Sequence, residues 1–218
     1  MTQDGSKSLL EWCGGWNLII ECEKSRLKPL HRDQLSANYL GWLNDPLVNT
    51  YSQRLGKLSA QEDVWNHVDN ANRSENTLLL GIFDKAKDVH IGNIQLKYYD
   101  RVNGLADLST LIGEREYWGK GYAKDIWKHI IHFGFQVVKV RKFTMGNAAG
   151  NKAASGKTLS VGAKLEATKK QHALIGEDYH DILEYGLFPQ DFYETFPNLR
   201  TICAANPSDK PLIRADRK

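Results

Sequence analysis

The sequence changes its periodicity at Gly113, and this change limits the fold more than any other feature. Three strand-like runs precede it, at 77–84, 89–99 and 105–113, and Asn103-Gly104 between the last two is a strong hairpin signal. An apolar stripe with helical spacing follows, formed by Tyr122, Ala123, Ile126, Trp127, Ile130 and Ile131. Since a stripe this broad packs on a sheet, we expect an antiparallel meander followed by a long helix.

The remaining segments predict further strands and helices on either side of the meander. Short strands are expected at 17–22 and 26–30, then a helical pattern from Leu35 to Leu43 that stops at Asn44-Asp45-Pro46. Ser59 to Glu62 has the pattern of a capping box before a second helix. Later elements are a strand at 141–145, a short helix at 155–161 and strands at 163–174 and 180–188. This order predicts an α+β protein with a mixed, mostly antiparallel twisted sheet and helices on both faces.

The chain has 218 residues and divides into three parts by pattern. Residues 1–16 have no clear period and are expected to form an N-terminal arm, whereas residues 17–199 have no internal linker and predict a single domain. Residues 200–218 are basic and interrupted by proline, which is typical of a loose C-terminal tail.

The composition excludes several classes of protein. Twenty-nine basic and 26 acidic residues give a net charge of only +3 and are interspersed, which favours a solvated mixed surface over a nucleic-acid footprint. No apolar run approaches the roughly 18 residues of a membrane helix, and no signal peptide is recognisable. Cys13, Cys22 and Cys203 have no C-x-x-C spacing, as expected of reduced thiols. We therefore expect a soluble cytoplasmic protein without a membrane partner.

The seven histidines do not predict a metal site. None belongs to an H-x-x-x-H or H-E-x-x-H pattern, and His129 and His132 lie three residues apart among apolar neighbours on the long helix. These two histidines are expected to pack on the helix surface, and no metal is predicted.

The segment from Gly150 to Thr158 resembles a phosphate-binding P-loop but departs from it in spacing. The pattern G-x-x-x-x-G-K-[ST] requires glycine at the position of Asn151, and Gly150 is one residue too early. The helix after Thr158 is also short, because Gly162 interrupts it. We expect this segment to be the exit from a strand and the start of a helix, where Lys157 could reach the adenosine end of a nucleotide-containing cofactor.

A stronger phosphate-binding signal lies between the meander and the long helix. The segment "LSTLIGEREYWGKGYAKDIW" (108–127) passes from strand to helix with Gly119, Gly121 and Ala123 at the turn, where small residues let a pyrophosphate approach the amides of a helix N-terminus. It resembles the acetyl-CoA-binding motif R/Q-x-x-G-x-G/A of the GNAT acetyltransferases, with Trp118 in the place of Arg or Gln. The resemblance covers about residues 26–188, and the branch it looks closest to contains ribosomal-protein N-terminal and amino-sugar acetyltransferases.

The resemblance implies the GNAT fold, acetyl-CoA as cosubstrate and a set of residues that bind it. These are Leu111, Ile112 and Gly113 at the end of the strand, Trp118, Gly119, Lys120, Gly121, Tyr122 and Ala123 at the turn, and Asn151, which matches the asparagine that contacts pantetheine. Asp107 stands six residues before Gly113, where the family often has its general base, and the strand period places Asp107, Ser109 and Leu111 on one face. Asp107 is equally well explained as a solvated residue after the hairpin. The tyrosine that protonates the leaving thiolate in the family is replaced by Thr158, so the general acid is unassigned.

The resemblance also implies an amine acceptor and the region that binds it. Tyr51 and Arg54 follow the Asn-Asp-Pro break, and His180 lies in "GEDYHD" between the last two strands, which is a plain polar turn in the alternative interpretation. The expected activity is direct transfer of an acetyl group to a primary amine, with a small-molecule amino sugar, including a nucleotide-linked one, preferred over a protein N-terminus. A non-catalytic acyl-CoA-binding module is the alternative from another class, and a homodimer is compatible with the sequence.

Overall fold

In a computed structural model, residues 7–200 are described, and their eight strands form one open sheet in the order β1-β2-β3-β4-β5-β6-β8-β7. The strands are β1 (Ile20–Glu21), β2 (Ser25–Pro29), β3 (Thr77–Asp84), β4 (His90–Asp100), β5 (Leu105–Ile112), β6 (Lys142–Ala148), β7 (Lys164–Ile175) and β8 (Asp178–Leu187). All neighbouring strands in this order are antiparallel except β5 and β6, which are parallel. The mixed, mostly antiparallel sheet predicted from the sequence is confirmed.

Helices cover both faces of the sheet, as predicted. They are α1 (Leu9–Trp12), α2 (Tyr39–Asn44), α3 (Gln61–Arg73), α4 (Tyr122–Phe133), α5 (Lys152–Leu159), α6 (Pro189–Thr195) and α7 (Pro197–Arg200). The larger apolar core includes α1, α4 and α6, and a smaller core lies under α2 and α3. Trp127 and Ile131 of the predicted apolar stripe are buried in the larger core.

The turn between β4 and β5 forms as the Asn103-Gly104 pair predicts. Gly104 has a φ of +67°, and the Asp100 side chain accepts a hydrogen bond from the Asn103 amide at 2.9 Å. Left-handed backbone at this position favours glycine, so the local sequence is sufficient to determine the turn.

Two predicted helix starts are wrong by a few residues. The capping box at Ser59 does not form, because α3 begins one residue later, with Ala60 as the N-cap, and the Asp63 carboxylate accepts the Ala60 amide at 2.7 Å. Ser59 instead exchanges hydrogen bonds with the Asn44 side chain and thereby joins the end of α2 to the start of α3. The helix predicted at 155–161 begins at Lys152, because the Asn151 side chain caps it by accepting the Ala154 amide at 3.0 Å.

The described part of the predicted N-terminal arm is ordered by the core. Ser8 caps α1 through reciprocal hydrogen bonds with Glu11, and Leu9 and Leu10 are buried in the larger core. This part of the predicted arm therefore packs on the larger core, because two adjacent leucines supply apolar contacts that leave no periodic pattern in four residues. The boundary at residue 16 stays a prediction. The predicted tail at 200–218 lies outside the described residues except for Arg200, which ends α7.

Within residues 7–200, no helix is both long and apolar enough to cross a membrane.

Candidate active site

The site is built around a gap between the two parallel strands at the centre of the sheet. β5 and β6 pair only at Leu105 with Lys142 and at Ala106 with Phe143, and the strands then diverge. The Gly113 amide donates to the Ile91 carbonyl of β4 at 3.0 Å. Because hydrogen bonds alternate along an antiparallel strand, the backbone groups of Thr110 and Ile112 point away from β4 and into the gap. A ligand in the gap therefore meets unpaired strand amides.

The glycine turn predicted to bind pyrophosphate has the backbone conformation that this role requires. Gly119 and Gly121 have φ values of +71° and +83°, and Gly121 is the N-cap of α4. The Lys24 ammonium donates to the Lys120 carbonyl and lies 3.5 Å from the place where a Cβ on Gly121 would be. Exposed helix amides, together with the nearby Lys24 and Lys120, favour binding of an anion at this turn.

Trp118 occupies the motif position of Arg or Gln and has a structural contact there. Its indole Nε1 donates to the Ile112 carbonyl at 2.7 Å, which joins the glycine turn to the end of β5. Tyr122 donates its hydroxyl proton to Asp84, and burial together with this hydrogen bond raises the pKa of Tyr122 to about 12. The Tyr122 side chain therefore faces the protein, and Tyr122 and Ala123 offer backbone amides at the first turn of α4.

The three residues predicted at the end of β5 differ in what they offer to a cofactor. Ile112 directs its backbone into the gap, whereas the Gly113 amide is already bonded to β4. A Cβ on Gly113 would lie 2.0 Å from the Trp42 ring, so this glycine is required by packing. The Leu111 side chain lines a cleft on the opposite face of the sheet, which is described below. Thr110, which the sequence did not single out, directs its backbone into the gap in the same way as Ile112.

Asp107 lies at the closed end of the gap, one residue after the last paired position of β5. Burial raises the pKa of its carboxyl group, while the Leu108 amide opposes this increase. Since the Leu108 amide is directed into the gap, the carboxylate lies near the same edge of β5. Asp107 does not line the cleft described below, so its role as general base stays a prediction.

Asn151 and Thr158 hold α5 against the end of β6. Asn151 caps the helix and lines the cleft described below, and its contact with pantetheine stays a prediction. Thr158, which replaces the family tyrosine, is fully buried and accepts the Asn147 side-chain amide at 3.0 Å. Lys157 does not extend toward an adenosine position at the surface but crosses to the Trp127 ring of α4.

A cleft of about 600 Å³ opens on the face of the sheet covered by α2 and α3. Tyr51 and Arg54, the predicted acceptor-side residues, both line it together with Ser109 and Leu111 of β5. His180 does not line it, because this residue lies within β8 opposite Ala173 rather than in a turn. The strand predicted at 180–188 begins two residues earlier, at Asp178, so that only Gly176 and Glu177 separate β7 from β8.

Sequence reasoning missed several polar residues of the cleft, among them His67 and Asn93. Partial burial lowers the pKa of His67, and the charge of Arg54 lowers it further. The imidazole is therefore neutral at neutral pH and can accept a proton. Asn93 is buried, and its Oδ1 lies 2.9 Å from His90 Nε2, whereas its Nδ2 has no hydrogen-bond partner within the described residues. A buried donor without a partner points to a ligand acceptor. No local pattern marks either residue, because α3 and β4 meet only in the tertiary structure.

The gap, the glycine turn before a helix and the polar cleft are the features predicted for a transferase that binds an acyl-CoA and a second substrate. The family model described as "Acetyltransferase (GNAT) domain" matches residues 25–164, which is more than half of the chain. The chain belongs to the GNAT acetyltransferases and is an N-acetyltransferase that uses acetyl-CoA as cosubstrate. No curated protein matches it.

Solved structures share the fold at low sequence identity. A GNAT-family acetyltransferase from Bacillus anthracis is 16% identical with a TM-score of 0.70, covering 79% of this chain and 99% of that one. The spermidine N-acetyltransferase of Vibrio cholerae, solved with CoA and spermine, is 16% identical with a TM-score of 0.70, covering 78% and 98%. A ribosomal-protein-serine acetyltransferase-like protein from the same organism has 16% identity and a TM-score of 0.61, covering 80% and 99%.

Proposed function

We propose that the acceptor is the primary amine of a small amino sugar, in particular a nucleotide-linked one, which attacks the acetyl thioester directly. The observation that supports this most is the charge of the cleft. Among the described residues that line it, Arg54 carries the only permanent charge, and none is Asp or Glu. The other polar lining groups are hydroxyls, amides and the His67 imidazole, which suit sugar hydroxyls.

Arg54 has the geometry and free donors to hold a phosphate. Its Nη1 donates to Ser59 Oγ at 3.0 Å, and within residues 7–200 no carboxylate forms an ion pair with it. A guanidinium carries five N–H donors in a planar fork that matches phosphate bidentately. The diphosphate of a nucleotide-linked sugar supplies the complementary charge.

A polyamine acceptor is disfavoured by the same electrostatics. The structure from Vibrio cholerae holds spermine, a polycation, but its 16% identity carries the fold alone. A polycation bound in this cleft would lie near the positive charge of Arg54, and the described lining residues include no carboxylate to neutralise it. Like charges brought together in a binding site oppose association.

Asn93 gives the acceptor or the acetyl carbonyl a specific contact. Its unpartnered Nδ2 belongs to a buried side chain that lines the cleft. A sugar hydroxyl or an amide carbonyl placed there satisfies the donor and recovers the cost of leaving it unpaired, which is about 1–3 kcal/mol.

The test is release of CoA from acetyl-CoA with four kinds of acceptor: nucleotide-linked amino sugars, free amino sugars, polyamines and N-terminal peptides. We expect turnover with the first class and a much higher KM with free amino sugars. Arg54→Ala is expected to raise the KM for the nucleotide-linked acceptor about tenfold or more, and to leave the KM for the free sugar unchanged. Lys57→Ala, an exposed cation on the same loop that does not line the cleft, is the matched control.

Other outcomes decide against the proposal. Turnover restricted to peptides identifies a protein N-terminal acetyltransferase, and turnover restricted to polyamines refutes the electrostatic argument. Tight binding of CoA without transfer to any amine identifies a non-catalytic acyl-CoA-binding module.

A further inference from the structure

Lys157 lies between the two helices that flank the gap, in contact with groups that reach the active site. Its Nζ is 3.6 Å from the centroid of the Trp127 ring, and Trp127 is only 1% exposed. The Trp127 Nε1 in turn donates to Thr110 Oγ1 at 2.6 Å, and Thr110 lines the cleft. The three side chains connect α5, α4 and β5 across the gap.

Lys157 lies deeper along its helix than the residues predicted to bind the cofactor. Gly121 and Asn151 cap α4 and α5, and Trp127 and Lys157 each lie five residues after the first residue of their helix. At about 1.5 Å per residue, the two side chains meet roughly 7 Å below the helix starts. A cofactor whose phosphates bind at the glycine turn, and whose arm passes Asn151, runs inward along these two helix starts in the direction of Lys157.

The surroundings of Lys157 make its proton available near neutral pH. Burial lowers the pKa of its ammonium to about 7, and the negative charge of Asp107 opposes this decrease. Asp107 itself faces Glu184 of β8 and Lys97 of β4, and the Trp127 ring holds the ammonium from the helix side. An acid with a pKa close to the working pH is the most effective proton donor.

Among the described residues, two hydroxyl side chains near the glycine turn and α5, Thr158 and Tyr122, are already engaged in hydrogen bonds. Thr158 is buried and engaged with Asn147, and the Tyr122 hydroxyl is engaged with Asp84. We propose that the Lys157 ammonium donates a proton to the CoA sulfur as the acetyl group leaves it. This inference depends on the acetyl-transfer activity and not on the identity of the acceptor.

The proton balance of the step is as follows. The lone pair of the acceptor nitrogen forms the bond to the acetyl carbon, the carbon–sulfur bond breaks, and its electron pair leaves with sulfur. Lys157 gives its proton to this thiolate and becomes a neutral amine. The acceptor nitrogen loses a proton to Asp107, directly or through a water, and the proton returns from Asp107 to Lys157 across the gap. The net change is one proton moved from nitrogen to sulfur.

The first experiment needs no acceptor, because it titrates free CoA bound to the protein by the ultraviolet absorbance of its thiolate. A cation beside sulfur stabilises the thiolate, so wild type is expected to hold about tenfold more thiolate at neutral pH than Lys157→Met. Lys157→Arg keeps the charge and is expected to resemble wild type. Identical titrations for all three proteins overturn the proposal. It is also overturned if calorimetry shows that Lys157→Met no longer binds CoA, since the side chain then serves binding.

The second experiment separates proton donation from charge. With any acceptor that supports turnover, Lys157→Met and Lys157→Arg are both expected to lower kcat about 100-fold, because neither side chain releases a proton near neutral pH. The KM for acetyl-CoA is expected to change by less than about threefold. The decrease of the wild-type kcat as pH rises through the pKa of Lys157 should be absent from both variants. Lys152→Met, an exposed lysine on the same helix, is the control. A Lys157→Arg protein with wild-type kcat refutes proton donation even if the thiolate titration agrees.

Discussion

At the scale of single residues, Gly113 is required by the Trp42 ring rather than by its own backbone. A Cβ at this position would lie 2.0 Å from the ring, whereas a Cβ on Gly41 in α2 meets no atom within 4 Å. Gly113→Ala is expected to lower the free energy of unfolding by about 1–3 kcal/mol, because Trp42 has to leave its packed position. Gly41→Ala is expected to raise it by about 0.5–1 kcal/mol, since alanine restricts the unfolded chain. Urea denaturation measures both, and equal midpoints for the two variants contradict the packing argument.

Asp107 and His67 are the two candidates for the general base, and the effects of substituting each on kcat distinguish them. Asp107→Asn is expected to lower kcat about 100-fold without changing CoA binding, because the amide cannot accept the proton. A base must be unprotonated, so the wild-type kcat should rise with pH through the pKa of Asp107, which burial places above the usual carboxyl range. If His67→Gln has the larger effect on kcat and removes this limb of the pH profile, the base is the histidine.

Residues whose roles depend on local backbone could be predicted from the sequence, and residues whose roles depend on tertiary contacts could not. The positive φ angles of Gly119 and Gly121 follow from a strand, a turn and a helix that are adjacent in the chain. The packing role of Gly113 instead depends on Trp42, and the position of Lys157 depends on Trp127, thirty or more residues distant in each case. Such contacts leave no periodic or motif signal.

At the scale of elements, Asp125 and His129 attach the turn between β1 and β2 to α4. The Asp125 carboxylate accepts the amides of Glu23 and Lys24 at 3.1 and 2.9 Å, and His129 Nδ1 lies 3.2 Å from it. Potential ligand atoms of Cys22, Asp125 and His129 lie within 4.8 Å of one another, but the two carboxylate oxygens of Asp125 already accept backbone amides. The packing role expected for His129 is therefore combined with a charge interaction.

This attachment predicts a specific dependence of stability on pH. Hydrogen bonds to Asp125 and Cys22 raise the pKa of His129 to about 10, above its unfolded value of about 6.5. The stabilisation is thus complete below about pH 6.5 and is lost as pH rises toward 10. We expect the free energy of unfolding, measured by urea denaturation, to fall over this range in wild type. His129→Gln should have a shallower slope, whereas exposed His172→Gln should keep the wild-type slope. Equal slopes in all three proteins would show that His129 is not protonated in the fold.

At the scale of the whole molecule, the gap between β5 and β6 connects two sites on opposite faces of the sheet. The predicted cofactor site lies at the starts of α4 and α5, beside the larger core, and the cleft of the proposed acceptor lies beside α2 and α3. Leu108, Thr110 and Ile112 direct their backbone amides to the edge of β5 that faces the gap. An acceptor amine and a thioester can therefore meet without either substrate crossing a continuous sheet. The order of strands and helices was predictable from the sequence, but the divergence of β5 and β6 was not. A strand pattern in the sequence does not indicate how many of its residues pair with the neighbouring strand.

Binding of CoA should replace the strand contacts that are missing in the gap. The amides of Thr110 and Ile112 point into it, whereas those of Leu111 and Gly113 point to β4. Hydrogen exchange followed by NMR should therefore slow at least about tenfold at Thr110 and Ile112 when CoA is added, and change much less at Leu111 and Gly113. At 100 times its Kd, CoA should also raise the free energy of unfolding by about 2.7 kcal/mol.

ATP with magnesium is the control ligand for this measurement, since the segment 150–158 resembles a P-loop only in part. It should neither stabilise the protein nor protect these amides, because the gap and glycine turn match an arm that continues past the phosphates into the sheet. Protection by CoA that is uniform along β5 would contradict the assignment of alternate amides to the gap. It would mean that the cofactor stabilises the sheet as a whole instead of pairing with one edge of it, and the backbone donors for the acetyl oxygen would then have to be sought outside β5.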